Sequence, residues 1–244
     1  MSGDKQEKIL EGKYVVLVDN YPKGFPTDRV SRLETIIRDC IANIDSKTIH
    51  YSKFNQKLAD KAIGVILSGS NLNVSDFYFN KRLRKYFSPQ LDFIKENNNT
   101  PILGLCFGFH LVGYAYGAQV CRIRIPRFGG RIVFIQLKKT DDIITKQNIP
   151  VNAHHRDFLS PNDCIIRKKF DILSTYNIRE YRTVQYMKHK NKPIYSLQFH
   201  PETHSPNYFN PDLFDERITT KTRIVGQEII ENFIWMCSYK QQEN

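Results

Sequence analysis

The feature that most limits the fold is a set of short, unbroken apolar runs separated by helix-length polar stretches. Tyr14-Val-Val-Leu-Val-Asp19, Ala62-Ile-Gly-Val-Ile-Leu67, Pro101-Ile-Leu-Gly-Leu-Cys106 and Pro193-Ile-Tyr-Ser-Leu-Gln-Phe199 all have strand length and little polar alternation. Strands of that kind show neither face to water, which is the situation of a parallel sheet between two layers of helices. Between them, Arg29 to Ile44 carries Val30, Leu33, Ile36, Ile37, Cys40, Ile41 and Ile44 at helical spacing. Thr48-Ile-His-Tyr51 reads as another strand, and Phe107 to Gly117 as a helix. Ser88-Pro-Gln opens a helix, with Ser88 as N-cap and Pro89 at the first helical position. Beyond Gly117 strands predominate, at Arg131–Leu137, Phe170–Ser174, Thr183–Met187 and Pro193–Phe199, and Ile224–Trp235 is a closing helix. The expectation is one α/β domain over 13–237. It would be a three-layer sandwich whose mostly parallel central sheet gains antiparallel strands in its second half, with tails at 1–12 and 238–244.

Composition narrows the setting. With 41% apolar and 25% charged residues the chain has ordinary globular usage, and 244 residues suffice for a core without staples. No run approaches the length of a membrane span, and the polar start lacks the apolar core of a secretory signal. Five cysteines, an odd number with no close pair, argue against a disulfide framework or a zinc site and for a reducing, cytoplasmic compartment. No metal or cofactor is expected. The formal charge of +11 invites an acidic partner, either nucleic acid or protein. The densest patch, Lys81-Arg82-Leu83-Arg84-Lys85, is however short, and no nucleic-acid-binding motif accompanies it.

Chemistry concentrates in two segments. Gly104-Leu-Cys106-Phe-Gly108 sits where a strand is expected to meet a helix, the cysteine counterpart of a nucleophile elbow. Small flanking residues let the turn be tight, and the helix N-terminus beside the sulfur favours thiolate. The Phe107 amide would then face an oxyanion forming on a substrate. Downstream, a strand runs into His200-Pro201-Glu202. A thiol nucleophile needs a base, and the base needs an acceptor on its other nitrogen. The extended link at Pro201 lets Glu202 hold the imidazole while His200 faces Cys106.

Together, Gly-Leu-Cys106-Phe-Gly-Phe-His and Leu-Gln-Phe-His200-Pro-Glu202 resemble the motifs of class I glutamine amidotransferases over about 13–237. The resemblance implies the flavodoxin-like sandwich of that family and a Cys106–His200–Glu202 triad. The triad would hydrolyse the side-chain amide of glutamine through a thioester and pass ammonia to a synthase in trans. It also implies an oxyanion-hole amide from Gly69 in Leu67-Ser-Gly-Ser70, besides that of Phe107. Val151-Asn-Ala-His-His155-Arg-Asp157 is similar to a segment of the amidotransferase part of GMP synthetase. By that likeness His154 and His155 join Ser70 and His110 in substrate binding, while Asp157 and His204 face the partner.

The chain departs from the family pattern in four places. His110 stands where the family has Gln, the oxyanion loop reads Ser-Gly-Ser-Asn, His154 stands in place of Ser, and the stretch at about 205–222 is an insertion. These departures keep two other readings open. One is a hydrolase of γ-glutamyl peptides with the same triad; the other is a catalytically impaired binding module that uses the basic surface.

Overall fold

The computed structural model describes residues 13–25, 27–42, 44–125, 131–203 and 215–240. A seven-stranded sheet organises them. Five of its strands run parallel: β1 (Lys13–Asp19), β2 (Ile44–His50), β3 (Gly64–Leu67), β4 (Ile102–Leu105) and, late in the chain, Ile194–Leu197. Two antiparallel pairs lie outside this sheet. β5 (Val120–Arg122) pairs with β8 (Asp157–Leu159), and β6 (Arg131–Gln136) pairs with β7 (Asn148–Ala153). β9 (Phe170–Ile178) and β10 (Tyr181–His189) complete the main sheet beside β11 (Ile194–Leu197), with β10 antiparallel to both its neighbours, giving the order β2-β1-β3-β4-β11-β10-β9. The expected gain of antiparallel strands therefore occurs, but Arg131–Gln136 joins a separate pair instead of the sheet.

The burial of each strand follows its place. β3, β4 and β11 are buried at every residue and β1 over Tyr14–Val18, whereas β2, at the edge, is largely solvent-facing. Alternate residues of β1 feed two cores. Val15 and Leu17 pack with Leu33 and Ile37 of α1 (Arg29–Cys40) and with Ile230 and Phe233. Val16 and Val18 pack with Phe87 and Phe93, and with Phe109 and Val112. The second set lies on α3 (Lys81–Glu96) and α4 (Phe107–Ala115); α2 (Gln56–Asp60) and α5 (Cys164–Lys169) are short, and α6 (Glu216–Lys240) closes the first core. Two cores on opposite faces of one sheet make the three layers expected.

Two boundaries differ from expectation. The third helix begins at Lys81, not at Ser88-Pro89, because Asn80 caps it by accepting the Leu83 amide at 2.9 Å. Pro89 then lies inside the helix without the N–H that would have met the Lys85 carbonyl, and the Ser88 hydroxyl donates to that carbonyl instead at 2.8 Å. At the C-terminal end, α6 spans Glu216–Lys240 and buries Thr222 and Ser238. Part of the expected insertion, and the first residues of the expected tail, are thus helix. The tail at 1–12 and the stretch 204–214 lie outside the described residues.

Candidate active site

The C-terminal ends of β1, β3, β4 and β11 open onto one crevice, the usual binding position in an open parallel sheet. Cys106 follows β4 at φ +50°, ψ −93°, a strained conformation for a side chain other than glycine, and its amide donates to the Leu197 carbonyl of β11 at 2.8 Å. The flanking glycines are required by contact. A Cβ on Gly104 would lie 2.8 Å from the Gly108 carbonyl oxygen, and one on Gly108 would lie 2.4 Å from that of Leu67. The elbow can therefore form only if α4 packs backbone to backbone against β3 and β4.

His200 comes off β11, its amide bonded to the Asn152 carbonyl at 2.9 Å. Its Nδ1–H donates to Glu202 Oε1 at 2.7 Å, and both side chains are fully buried. The other nitrogen, Nε2, lies 3.2 Å from the His154 carbonyl, which the Cys106 thiol reaches at 3.8 Å. Sulfur and imidazole thus converge on one backbone oxygen. Burial and the Arg29 charge pull the pKa of His200 down, yet the charges of Cys106 and Glu202 and the Cys106 hydrogen bond outweigh them and raise it to about 9. Burial pushes the Glu202 carboxyl up, but the charge and hydrogen bond of His200 hold it below the ordinary carboxylate value.

Three more histidines surround the pair and are kept neutral, chiefly by burial. His154 is lowered to about 4 and His155 to about 3, with the charge of His200 adding to the effect in both, and His110 is lowered as well. His155 Nδ1 donates to the Asp157 carbonyl at 2.9 Å, and His110 Nε2 meets Gln198 Oε1 at 2.8 Å. Among the described residues no cluster of His, Cys, Asp and Glu could hold a metal ion.

A cavity of about 370 Å³ sits over the sulfur, lined by Tyr21, Phe25, Arg29, Ser70, Phe107, His110, His154, His155 and Asp157 among others. Ser70 reaches it, but its hydroxyl is engaged within the loop, donating to the Asn20 carbonyl at 2.7 Å and accepting from the Leu72 amide at 3.0 Å. Gly69 abuts His200: a Cβ there would lie 2.9 Å from the ring carbon Cε1. Asp157, expected to face a partner, is instead 2% exposed. Its carboxylate accepts from the Ser75 amide and hydroxyl at 2.8 and 2.7 Å, pinning the turn of 3-10 helix at Val74–Tyr78 behind the cavity wall. His204 lies outside the described residues.

Sequence reasoning missed Arg29 and Tyr21. Arg29 Nη1 touches the Tyr21 hydroxyl at 3.2 Å and the two nitrogens of His200 at 3.2 and 3.3 Å. A signal was present, because Arg29 begins the inward stripe Arg29, Leu33, Ile36, Ile37 of α1. A cation at the head of an apolar face has to find a polar site inside.

Likeness to known proteins agrees with this geometry. The chain is 32% identical over 151 residues to the glutamine-hydrolysing GMP synthase subunit of Methanocaldococcus jannaschii, a match covering 60% of this chain and 65% of that one. It therefore spans just under two thirds of that relative. The corresponding protein of Thermoplasma acidophilum is 29% identical over 206 residues, covering 82% of this chain and 86% of its own. A solved structure from Thermoplasma acidophilum, of a protein likened to the same GMP synthase component, superposes with a TM-score of 0.69 at 22% identity, over 95% of this chain and 96% of its own. The family model for glutamine amidotransferase class-I matches residues 28–218, and the chain belongs to that family.

Proposed function

We propose that this protein hydrolyses the side-chain amide of glutamine at Cys106 and hands the ammonia to a separate synthase of the GMP-producing kind. The observation that carries the reading is the convergence of Cys106 Sγ and His200 Nε2 on the His154 carbonyl, with Glu202 holding Nδ1. In this mechanism the Cys106 proton passes to His200 Nε2 as the sulfur attacks the amide carbon, and the carbonyl pair moves onto oxygen. Collapse breaks the C–N bond, and the Nε2 proton leaves with the nitrogen as ammonia. Water then attacks the thioester, gives a proton to His200, and releases glutamate with the thiol restored. Glu202 keeps Nδ1 protonated throughout, so the nitrogen that faces the sulfur is always the one that exchanges protons. The amides of Phe107 and Gly69 serve the oxyanion, with Ser70, His110, His154 and His155 bounding the substrate.

The test is chemical labelling. An electrophilic glutamine analogue should attach once, at Cys106, and wild-type protein should release ammonia from glutamine, in the presence of the synthase if needed. His200→Asn should slow acylation on the order of 10³-fold. No label at Cys106 under either condition would overturn the reading.

His110 favours a second reading, in which the same triad takes a γ-glutamyl peptide or conjugate. Its imidazole lines the cavity and is engaged by the buried Gln198, where the family has the side-chain amide of a Gln. Preference for γ-glutamyl compounds over free glutamine would establish this version. A gain of glutamine turnover in His110→Gln would show that the imidazole limits it.

A further inference from the structure

We propose that Arg29 is a positioning residue acting through His200: laid against the imidazole, its guanidinium makes the protonated ring a readier donor to the departing ammonia. The proposal rests on the hydrolase reading above. Arg29 opens α1 and is 7% exposed. Its Nη1 is almost equidistant from Nδ1 and Nε2 of His200, at 3.2 and 3.3 Å. Once Nε2 has taken the Cys106 proton, neither ring nitrogen has a lone pair to offer it, because Nδ1 donates to Glu202 at 2.7 Å and Nε2 then carries a proton toward the His154 carbonyl and Cys106. Nη1 also donates to the Tyr21 hydroxyl at 3.2 Å, and Nη2 lies 3.5 Å from His154 Nδ1. The contact with His200 is therefore a permanent cation against a ring that has to become a cation during turnover.

Among the described residues, the groups that face His200 are Glu202 in its own loop, Cys106 at the elbow, Tyr21 after β1, His154 and His155 after β7, His110 on α4, and Arg29. Among them Arg29 is the one that stays positive at every working pH. While the sulfur is a thiolate, its charge offsets that of Arg29. Once the C–S bond has formed the negative charge has moved from sulfur to the oxyanion, and the anion in direct contact with the imidazolium is Glu202, set against the guanidinium. Its proton then passes more easily to the nitrogen whose bond to carbon is breaking.

The decisive measurement is the NMR titration of the His200 ring in the free protein, which needs no turnover. Arg29→Met should raise the midpoint by about one unit, Arg29→Lys should keep it, and Tyr21→Phe, which loosens the guanidinium, should raise it by less. Where the hydrolase is active, the alkaline limb of the kcat profile should move up with the midpoint in Arg29→Met. If Arg29→Met does not fold, Tyr21→Phe carries the test. A midpoint unchanged in the folded variants overturns the role of Arg29. A wild type that neither releases ammonia nor labels at Cys106 overturns the hydrolase reading instead, so the two failures are distinguishable.

Discussion

His200 and Glu202 tie chemistry to stability one proton at a time. The imidazole pKa stands at about 9 against 6.5 for the free ring. A group raised in this way stabilises the fold fully below about pH 6.5 and loses that contribution as the pH climbs through 9. Thermal midpoints should therefore fall across that window. The fall should flatten in Cys106→Ala, which removes one of the charges that keeps the proton in place. Glu202 works in the opposite sense: its lowered carboxyl stabilises above its unfolded pKa, and the contribution disappears as the pH falls through the folded value. His110 supports the structure differently, as the partner of the buried Gln198 carbonyl oxygen. Among the described residues Gln198 Nε2 already has no hydrogen-bond partner, so His110→Ala would leave the side-chain amide unsatisfied. The expected cost is about 1–3 kcal/mol by urea unfolding, with a smaller loss for His110→Gln, whose amide can donate in its place.

At the level of elements, α6 is the remote support of the site. A Cβ on Gly226 would lie 2.1 Å from the Pro201 carbonyl oxygen, in the link between His200 and Glu202. Gly226→Ala should cost about 1–3 kcal/mol. It should also slow labelling of Cys106 by more than the stability loss accounts for, because the loop that aligns the pair has to move; a labelling rate equal to wild type in folded protein would refute this. The elements differ in how far they could be read from the sequence. β1, β3, β4 and β11 were legible because burial on both faces leaves an unbroken apolar run. The elbow and His-Pro-Glu were legible because their chemistry needs fixed local spacing. β5 and β8 were not, since three residues carry too little pattern. The start of α3 was misread because a Ser-Pro pair is an ordinary helix opening, and only the Ser88 hydroxyl makes it tolerable in mid-helix. Arg29 and Tyr21 belong to no local motif; they reach His200 only through the packing of α1 beside β1.

Across the whole molecule, the sheet closes out of chain order. β11 lies between β4, made about ninety residues earlier, and β10, made just before it. A chain cut before Ile194 would leave β4 and β10 as two open edges with an apolar gap between them. Such a fragment should be insoluble or lack cooperative unfolding, and a soluble, cooperatively melting fragment would contradict this view of the sheet. The formal charge of +11 is a property of the same scale. Under the proposed function, capture of an acidic synthase should quicken at low ionic strength and slow as salt is raised. The late threading of β11 also bears on synthesis. A polypeptide still emerging from the ribosome carries its sulfur long before it carries the Leu197 carbonyl that seats the elbow or the His200 imidazole that would drive it. By the proposed mechanism unfinished copies release no ammonia, and hydrolysis waits until the last strand has gone home.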